Sequence, residues 1–400
     1  MLGVRGVVLL ALVTALTAIA QVGQVQYVQA QAQTPEIELV SKSAVLMDAA
    51  SGAVFLEKNA RAPLPPASIT KVMTLTLALE AVKAGRVTMD DLVTASEYAG
   101  TLGGSHVWLE AGEQMPLREL LYAVAVGSAN DASVAVAEYI AGSEQAFVEL
   151  MNRKARELGM RDTSFSNATG LPPKDLGMTA SHVSSALDVA IMARYAVRIP
   201  EFLPMASTWE YKMRKETTGV PVLYNFNRLL KWYDGLDGIK TGMTEEAGYC
   251  LAATAKRENL RLIAVVLGSP DPKAREKDIR ALLDYGFRRY AAHEVVRRGQ
   301  PMARARVGRG EPEWVDVLAA DDLFVTIERG VKPELTEAVK LSSLVSAPLK
   351  KGAPMGKLVV LDKGKEVASV GLEAAWEVRR AGVLKLMFRM TNRLMRSLLE

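Results

Sequence analysis

The sequence of 400 residues predicts an α+β or α/β layered domain with antiparallel strands, then a small all-β domain and a C-terminal amphipathic helix. Strand pairs with tight turns flank a middle region of helical periodicity. Near residue 293 the chain changes to short apolar runs separated by Gly, Pro and Lys. We therefore expect the layered domain over residues 36–292, the β domain over 293–373 and the helix over 374–400.

The N-terminus has the pattern of a secretory signal. Arg5 supplies a positive start, and the uncharged, mostly apolar run 7–20 is short for a bilayer span of about 20 residues. Small residues that suit cleavage follow at Ala30 and Ala32. We interpret residues 1–32 as a signal peptide, with an uncleaved anchor as the alternative. Either interpretation places the mature chain outside the cytoplasm.

The elements of the layered domain follow in order. The segment SAVLMDAASGAVFLEKN predicts a β-hairpin that turns at Ser51 and Gly52. Apolar runs at 249–255 and 260–268, separated by the polar letters KREN, predict a second hairpin. Apolar spacing predicts one helix that starts at Ser68. It predicts four more over residues 117–141, 144–158, 181–197 and 273–291.

The β domain is predicted from the runs WVDVLAA, LFVTIE, KLSSLV and KLVVLD. These runs contain no cluster of residues with evident chemistry. We interpret this domain as a spacer or an interaction domain.

The last segment predicts a helix with one apolar and one cationic face. The apolar face holds Val383, Leu384, Met387, Phe388, Met390, Leu394, Met395, Leu398 and Leu399, and the polar face holds Lys385, Arg389, Asn392, Arg393 and Arg396. From Arg379 onward there are six cations and one anion, Glu400. Such a helix suits the plane of an anionic membrane surface, and docking on the protein's own core is the alternative.

Composition excludes several classes of function. A formal charge of +4 is small for this length, so we expect no nucleic-acid partner. The single cysteine, Cys250, excludes an intramolecular disulfide and argues against a cysteine metal site. Three scattered histidines argue against a zinc enzyme. We expect no metal and no cofactor, and any nucleophile must be activated by a base other than histidine.

One charge interrupts the apolar stretch PPASITKVMTLTLAL. Ser68 and Lys71 stand at i and i+3, which places the amine within reach of the hydroxyl on one helix face. Burial disfavours the ammonium form, so Lys71 can act as a neutral base for Ser68. By itself the pair is weak evidence, because a serine that caps the helix and a lysine that extends to solvent give the same spacing.

Two distant polar clusters add to this pair. Ser128 and Asn130 lie in AVAVGSANDAS, where a turn joins two buried elements. Lys240, Thr241 and Gly242 lie ahead of the strand at 249, and a cation with a hydroxyl on a strand edge suits a carboxylate. Gly242 would let a substrate approach the backbone closely. Taken singly, each cluster is also explained as a polar turn or a hairpin entry.

Together and in this order, the three motifs are specific. Ser-x-x-Lys, Ser-x-Asn and Lys-Thr-Gly stand 60 and 112 residues apart, and they are the signatures of penicillin-binding proteins and serine β-lactamases. With NATGL at 167–171 and DGIKTGMTEEAGYCL, residues 38–292 resemble the D-alanyl-D-alanine carboxypeptidases, the low-molecular-mass penicillin-binding proteins. The β domain and terminal helix resemble that family more loosely. The resemblance implies a β-lactamase/transpeptidase-like fold.

The resemblance implies a role for each motif residue. Ser68 matches the acylated nucleophile and Lys71 its base. Ser128 matches the serine that relays a proton to the leaving D-alanine, and Asn130 the side chain that holds the substrate amide. The backbone N–H groups of Ser68 and Met243 match the oxyanion hole. Some relatives have histidine where Met243 stands, but only the backbone there is required.

The remaining matches concern the substrate carboxylate. Lys240 and Thr241 match the pair that binds and polarises it, next to Gly242. Arg275, in PKAREKD, resembles an arginine placed near the same carboxylate, and a solvated helix face is the alternative. The implied partners are peptidoglycan stem peptides, β-lactams as covalent inhibitors, and a membrane surface outside the bacterial cytoplasm.

Further residues are weaker matches. Asn227 and Arg228 resemble a second polar cluster near the site. We assign no catalytic role to His106 or His182 and expect surface or packing positions for them.

Two alternatives stay open at this point. A class A β-lactamase needs a glutamate about 36 residues after the Ser-x-Asn serine. The corresponding stretch, DTSFSNATG, has no acid after Asp162. The other alternative is a catalytically silent penicillin-recognising sensor, although all three motifs are intact.

Overall fold

The computed structural model describes residues 37–214, 221–342 and 345–399. The predicted signal peptide at 1–32 lies outside these residues. The first region contains β1 (Ser43–Asp48), β2 (Val54–Lys58), α1 (Lys71–Lys83), β3 (Leu92–Thr94), α2 (Glu97–Gly100), β4 (Gln114–Pro116), α3 (Leu117–Ala125), α4 (Asn130–Ala141), α5 (Glu144–Leu158), α6 (Ala186–Ala196), α7 (Phe202–Ala206), β5 (Glu210–Lys212), β6 (Val222–Tyr224), α8 (Leu229–Trp232), β7 (Leu236–Thr244), β8 (Gly248–Arg257), β9 (Leu260–Ser269) and α9 (Pro272–Arg289).

The second region contains β10 (Tyr290–Val296), β11 (Pro301–Arg306), β12 (Gly310–Glu311), β13 (Trp314–Ala319), β14 (Leu323–Glu328), β15 (Leu335–Leu341), β16 (Pro354–Asp362), β17 (Lys365–Ala374), β18 (Arg379–Arg380) and α10 (Val383–Leu399).

A five-stranded sheet in the order β2-β1-β9-β8-β7 forms the centre of the first region. Every neighbouring pair is antiparallel, including the two predicted hairpins, β1-β2 and β8-β9. Alternate residues of β1 enter different cores: Val45 packs in the large helical core, and Leu46 packs under α9. Because helices cover both faces, β9 is apolar along nearly its whole length. The predicted α+β fold class is confirmed.

Three predicted helices have different bounds in the structure. The segment 117–141 is two helices, α3 and α4, because the backbone at Ser128 takes a left-handed φ of 57°. The helix predicted at 181–197 begins only at Ala186, where the Ser185 side chain caps it by accepting from the Asp188 N–H. The helix predicted from Ser68 begins as a 3-10 turn, Ala67–Thr70, which continues into α1.

The second region is all β apart from its last helix. Its main sheet has the order β11-β13-β17-β16-β15, and two small pairs, β10-β14 and β12-β18, flank it. The rings of Phe55 and Tyr290 stack at 3.7 Å between centroids, and the Thr326 hydroxyl donates to Asp48 at 3.0 Å. These contacts join the β region to the outer hairpin of the first sheet.

The C-terminal helix begins at Val383, so the prediction that it starts at 374 is wrong. Ala374 ends β17, and Arg379–Arg380 pairs with Gly310–Glu311 as a short strand. That pairing satisfies backbone hydrogen-bonding groups of Arg379 and Arg380. Sequence periodicity could not separate these two residues from the helix. Within the described residues, no helix is long and apolar enough to cross a membrane.

Candidate active site

The proposed nucleophile lies where the 3-10 turn meets the edge strand of the sheet. Ser68 is half-buried in this turn, and Ala67 before it has a φ of 48°. A Cβ at Gly242 of β7 would lie 2.7 Å from the Pro66 carbonyl oxygen. Gly242 therefore lets β7 approach the turn that carries Ser68. We expected the glycine to make room for substrate, but backbone already fills that space.

Lys71 is fully buried directly behind Ser68. Its Nζ lies 3.1 Å from Ser68 Oγ and donates to Asn130 Oδ1 at 2.7 Å and to the Thr169 carbonyl at 2.6 Å. Burial, and after it the charge of Lys240, lowers the pKa of Lys71 well below its usual value, while Asp131 opposes the shift. The site thus holds an amine that can be neutral, aimed at a hydroxyl.

The Ser-x-Asn turn faces the same amine. Ser128 and Asn130 are buried at the junction of α3 and α4. Asn130 also donates from Nδ2 to the Gly103 carbonyl at 2.7 Å. The next residue, Asp131, accepts from the backbone N–H groups of Val107 and Leu109. These bonds fix the loop after α2 against the Ser128 turn, so the Asn130 carboxamide is held in one orientation.

Strand β7 supplies the third motif. It is an edge strand, which agrees with the strand edge expected from the sequence. Lys240 and Thr241 are buried on it, and Lys240 Nζ lies 3.2 Å from the Thr241 carbonyl. Burial, and secondarily the charge of Arg275, lowers the pKa of Lys240 to about 7. The Met243 side chain is 56% exposed and points away from the buried groups of the strand.

Arg275 lies on the inner face of α9 and is only 6% exposed. The alternative of a solvated helix face is therefore wrong. Its Nε has no hydrogen-bond partner among the described residues, and its Glu276 contact is long, at 3.7 Å. A buried guanidinium with an open donor is suited to an anion.

Asn227 and Arg228, the second polar cluster predicted from the sequence, differ in burial. Asn227 is buried and donates from Nδ2 to the Gly238 carbonyl at 3.3 Å, so it supports β7 from beneath. Arg228 is exposed; burial lowers the pKa of Arg275, and the charge of Arg228 adds a smaller effect in the same direction.

The loop 167–171 is part of the site, although the sequence assigned it no role beyond the resemblance. Asn167 Oδ1 accepts from Thr169 N–H, Thr169 Oγ1 and Gly170 N–H. The Thr169 carbonyl thereby points at Lys71. A carbonyl gives no signal in the sequence, but Asn-x-Thr-Gly, an amide followed by a left-handed glycine, is a turn pattern that could have indicated it.

The histidines take the expected positions. His182 is buried, with Nε2 2.8 Å from Thr70 Oγ1, and burial lowers its pKa to about 4. His106 is exposed, and its Nδ1 lies 2.7 Å from the Gly104 carbonyl.

Known proteins resemble this chain in sequence and in fold. The family described as D-alanyl-D-alanine carboxypeptidase matches residues 28–271. The chain belongs to this family. A second family, described as penicillin-binding protein 5, C-terminal domain, matches residues 290–380.

Three individual relatives cover between 63% and 89% of the chain. The D-alanyl-D-alanine carboxypeptidase DacF of Bacillus subtilis is 39% identical over 89% of this chain and 90% of its own. Penicillin binding protein 5 from Haemophilus influenzae is 33% identical, with a TM-score of 0.66 over 87% of this chain and all 100% of its own. An ampicillin-bound structure of penicillin-binding protein D2 from Listeria monocytogenes is 31% identical, with a TM-score of 0.56 over 63% of this chain and 100% of its own.

Proposed function

We propose that this chain is a serine-type D-Ala-D-Ala carboxypeptidase that removes the terminal D-alanine from peptidoglycan stem pentapeptides. The observation that carries the proposal is the buried amine of Lys71, which lies 3.1 Å from Ser68 Oγ. Burial lowers the pKa of this amine well below its usual value. The names of its relatives support the same activity.

The proposed acylation uses the first two motifs. Neutral Lys71 takes the Ser68 hydroxyl proton, and Oγ attacks the carbonyl between the two D-alanines. The N–H groups of Ser68 and Met243 stabilise the oxyanion. The C–N bond then breaks, and the proton passes from Lys71 through Ser128 to the leaving amine. Asn130 holds the substrate amide.

Substrate orientation comes from the carboxylate site. We assign the terminal carboxylate to Lys240 and Thr241, with Arg275 as a further cation. The buried positions of Lys240 and Arg275 support this, because a desolvated cation gains most from an incoming anion. Gly242 lets β7 bring these groups next to Ser68.

Deacylation returns the enzyme to its starting state. Lys71, neutral again, takes a proton from water as the water oxygen attacks the ester, and the proton then returns to Ser68 Oγ. Lys71 Nζ contacts a hydroxyl, a carboxamide and a carbonyl, and within the described residues no carboxylate touches it. This argues against a β-lactamase that uses glutamate to activate water.

We propose that β-lactams acylate Ser68 as well, as supported by the relative with bound ampicillin. A labelled penicillin separates the alternatives: a stable adduct on Ser68 supports a penicillin-binding carboxypeptidase. A rapidly hydrolysed adduct would favour a β-lactamase, and no adduct would contradict any enzymatic role.

The decisive experiment measures D-alanine released from a stem pentapeptide. Wild-type protein should release it, and the Ser68→Ala variant should not. A stable adduct with penicillin but no D-alanine from any peptide would favour the silent sensor.

The cellular location is part of the proposal. We propose that residues 1–32 direct the chain out of the cytoplasm and that α10 lies on the outer face of the cytoplasmic membrane. Val383, Leu384, Met387, Phe388 and Met390 are all strongly exposed on the helix. Lys385 pairs with Glu311, and Arg389 donates to the Gly310 carbonyl. These two cations hold the helix against the β region, which leaves its apolar face open for lipid.

The β region then acts as a spacer. We propose that residues 293–373 hold the catalytic region, residues 36–292, above the membrane. The hydrogen bond from the Thr326 hydroxyl to Asp48 joins these two ranges and supports a fixed distance between the site and α10.

A further inference from the structure

A cavity of about 630 Å³ lies between α8, the last residue of β8 and the outer face of α9, and it takes no part in the mechanism above. Lys277 and Arg280 of α9 line it, whereas Arg275 of the same helix is buried on the inner face. Successive residues turn about 100° around a helix, so Arg275 and Lys277 lie on nearly opposite faces. The cavity is therefore separate from the site proposed for the terminal carboxylate.

Three cations of α9 form a row along the cavity. Lys273, Lys277 and Arg280 stand at i, i+4 and i+7, which places them on one helix face, and all three are exposed. Within the described residues, none of them makes an ion pair. Seven residues of helix rise about 10 Å, so the row is longer than one small anion can span. We call these three side chains the cation row.

The acidic residues of the lining do not neutralise the cation row. Each has another partner: Asp234 pairs with Arg257 at 3.5 Å, Glu276 lies 3.7 Å from Arg275, and Asp284 accepts from the Tyr233 hydroxyl at 2.8 Å. Outside the first two pairs, the lining keeps the three cations of the row against one anion, Asp284. The cavity therefore favours an anionic ligand.

Exposed aromatic rings accompany these cations. Exposed and buried residues alternate over 222–228, which places Tyr224 and Phe226 at the surface. Trp232, the last residue of α8, is 80% exposed at the cavity. The face of an aromatic ring carries partial negative charge, so the C–H groups of a sugar ring, which carry partial positive charge, stack on it. A carbohydrate with anionic groups matches this combination of tryptophan and cations.

Helix α8 connects this cavity with the candidate active site. Arg228, just before the helix, acts on Arg275: burial lowers the pKa of Arg275, and the charge of Arg228 adds a smaller effect. Trp232 follows four residues later, which is a rise of about 6 Å along a helix. One polymer can therefore reach both the carboxylate site and the cavity.

We propose that this cavity is an exosite, which binds a second stretch of the peptidoglycan polymer while the candidate active site holds a stem peptide. A sugar ring stacks on Trp232, and free carboxylates of neighbouring stem peptides pair with the cation row. Each stem peptide ends in a carboxylate, so the polymer repeats the anion along an extended chain, as the length of the row requires. This inference rests on the proposed function, because the ligand is the polymer from which D-alanine is removed.

The first test isolates binding at the cavity. Full-length protein is acylated with penicillin, which blocks the candidate active site, and is cosedimented with insoluble peptidoglycan from which phosphate-bearing polymers have been removed. The wild type should sediment with the polymer. Trp232→Ala should weaken this binding about three- to tenfold, the range of one aromatic contact. The double variant Lys273→Gln, Lys277→Gln should weaken it about three- to tenfold as well, the range of two exposed charge pairs, and its residual binding should depend less on salt.

The second test measures catalysis on two substrates. It compares kcat/KM for release of D-alanine from a soluble stem pentapeptide and from the same polymer. Both cavity variants should lose about three- to tenfold on the polymer and nothing on the soluble pentapeptide, because the cavity lies outside the carboxylate site. A role of these side chains in folding alone would lower both values.

Matched controls remove the same groups elsewhere on the surface. Trp376→Ala removes an exposed ring, and the double variant Lys350→Gln, Lys351→Gln removes two exposed cations, all outside the cavity. Both controls should bind and cleave the polymer like the wild type.

The outcomes separate this exosite from the function itself. Equal losses in the cavity variants and the controls, or equal losses on the two substrates, would overturn the exosite while the carboxypeptidase activity stands. Binding that requires the phosphate-bearing polymers would overturn it too, because the cavity would then take a different anion. No release of D-alanine from either substrate by the wild type would overturn the proposed function, and the exosite with it. Acylation of Ser68 by labelled penicillin at the wild-type rate shows that each variant is folded.

Discussion

At the scale of single residues, the site depends on one buried amine. Lys71 is placed by three acceptors, Ser68 Oγ, Asn130 Oδ1 and the Thr169 carbonyl. A buried lysine without function costs free energy, and here burial also lowers its pKa. The same desolvation that destabilises the ammonium form makes the base.

Lys71→Arg should nearly abolish acylation, because a guanidinium stays protonated at any pH of interest. We expect the rate of acylation by labelled penicillin to fall by at least about 100-fold, the usual contribution of a general base. Lys83→Arg, at the other end of α1, is the matched control and should acylate at the wild-type rate. A Lys71→Arg variant with near-normal rates would exclude Lys71 as the base.

Lys71 and Lys240 should produce the rising and the falling limb, respectively, of the pH profile of kcat/KM. Lys71 works deprotonated, so kcat/KM should rise with pH through its lowered pKa. Lys240 works protonated, so kcat/KM should fall as pH rises through about 7, the pKa of Lys240 in the free enzyme.

Lys240→Arg tests the assignment of the falling limb. Arginine keeps its charge, so the fall above neutral pH should disappear in this variant even if the maximal rate is lower. An unchanged alkaline limb would assign that titration to another group.

At this scale the sequence predicts the candidate side chains but not the backbone carbonyl that Lys71 contacts. Ser68, Lys71, Ser128, Asn130 and Lys240 were predicted because motif spacing identifies side chains. The Thr169 carbonyl was missed, because every residue has a carbonyl: the Asn-x-Thr-Gly pattern indicates a turn, and only the fold determines which of its carbonyls points at Lys71.

At the scale of elements, one glycine holds two parts of the site together. Gly170 has a φ of 83°, and a Cβ there would lie 1.9 Å from the Ala67 carbonyl oxygen. The loop 167–171 thus packs against the turn of Ser68 with no room for a side chain.

Gly170→Ala should therefore displace the nucleophile's turn and reduce penicillin acylation by more than about tenfold, in addition to a backbone cost of about 1–2 kcal/mol. Gly142→Ala is the matched control, because Gly142 has the same φ of 83° and open space around it. It should lose a similar 1–2 kcal/mol of stability in urea unfolding, roughly the left-handed backbone cost, but acylate normally. Equal acylation by both variants would show that the contact with Ala67 is unimportant.

Periodicity predicted the kinds of elements better than their ends. The hairpin of β8 and β9 was predicted because its apolar runs and polar turn are local features. Apolar spacing runs through the break of 117–141 at Ser128, which only the polar Ser-x-Asn motif indicated as a turn, because a left-handed φ at a serine follows from tertiary packing. The order of strands, which makes β7 an edge, involves contacts too distant for any local pattern.

At the scale of the whole molecule, the catalytic region and the terminal helix lie at opposite ends of the sequence. The predicted boundary near residue 293 followed a change of composition, and β10 begins close by at Tyr290. The start of α10 could not be predicted, because Arg379 and Arg380 suit a cationic helix as well as a strand.

Membrane association is predicted to depend on the exposed face of α10. Leu384→Asp combined with Phe388→Asp should weaken cosedimentation with anionic lipid vesicles at least about tenfold, because two apolar side chains lose their burial in lipid. Release of D-alanine from a soluble pentapeptide should not change. Leu341→Asp, an exposed apolar position of β15, is the control and should sediment like the wild type. Equal sedimentation of both variants would contradict the role of α10.

The effect of Lys240 on the pKa of Lys71 has a consequence for the timing of catalysis. In the empty site, the Lys240 charge helps to keep the Lys71 amine unprotonated. Once a substrate carboxylate compensates that charge, the proton affinity of Lys71 increases at the moment when it must accept the Ser68 proton. Arrival of the correct ligand thus strengthens the base. A peptide with an amidated C-terminus would bind poorly and also meet a weaker base, so discrimination operates in the chemical step as well as in binding.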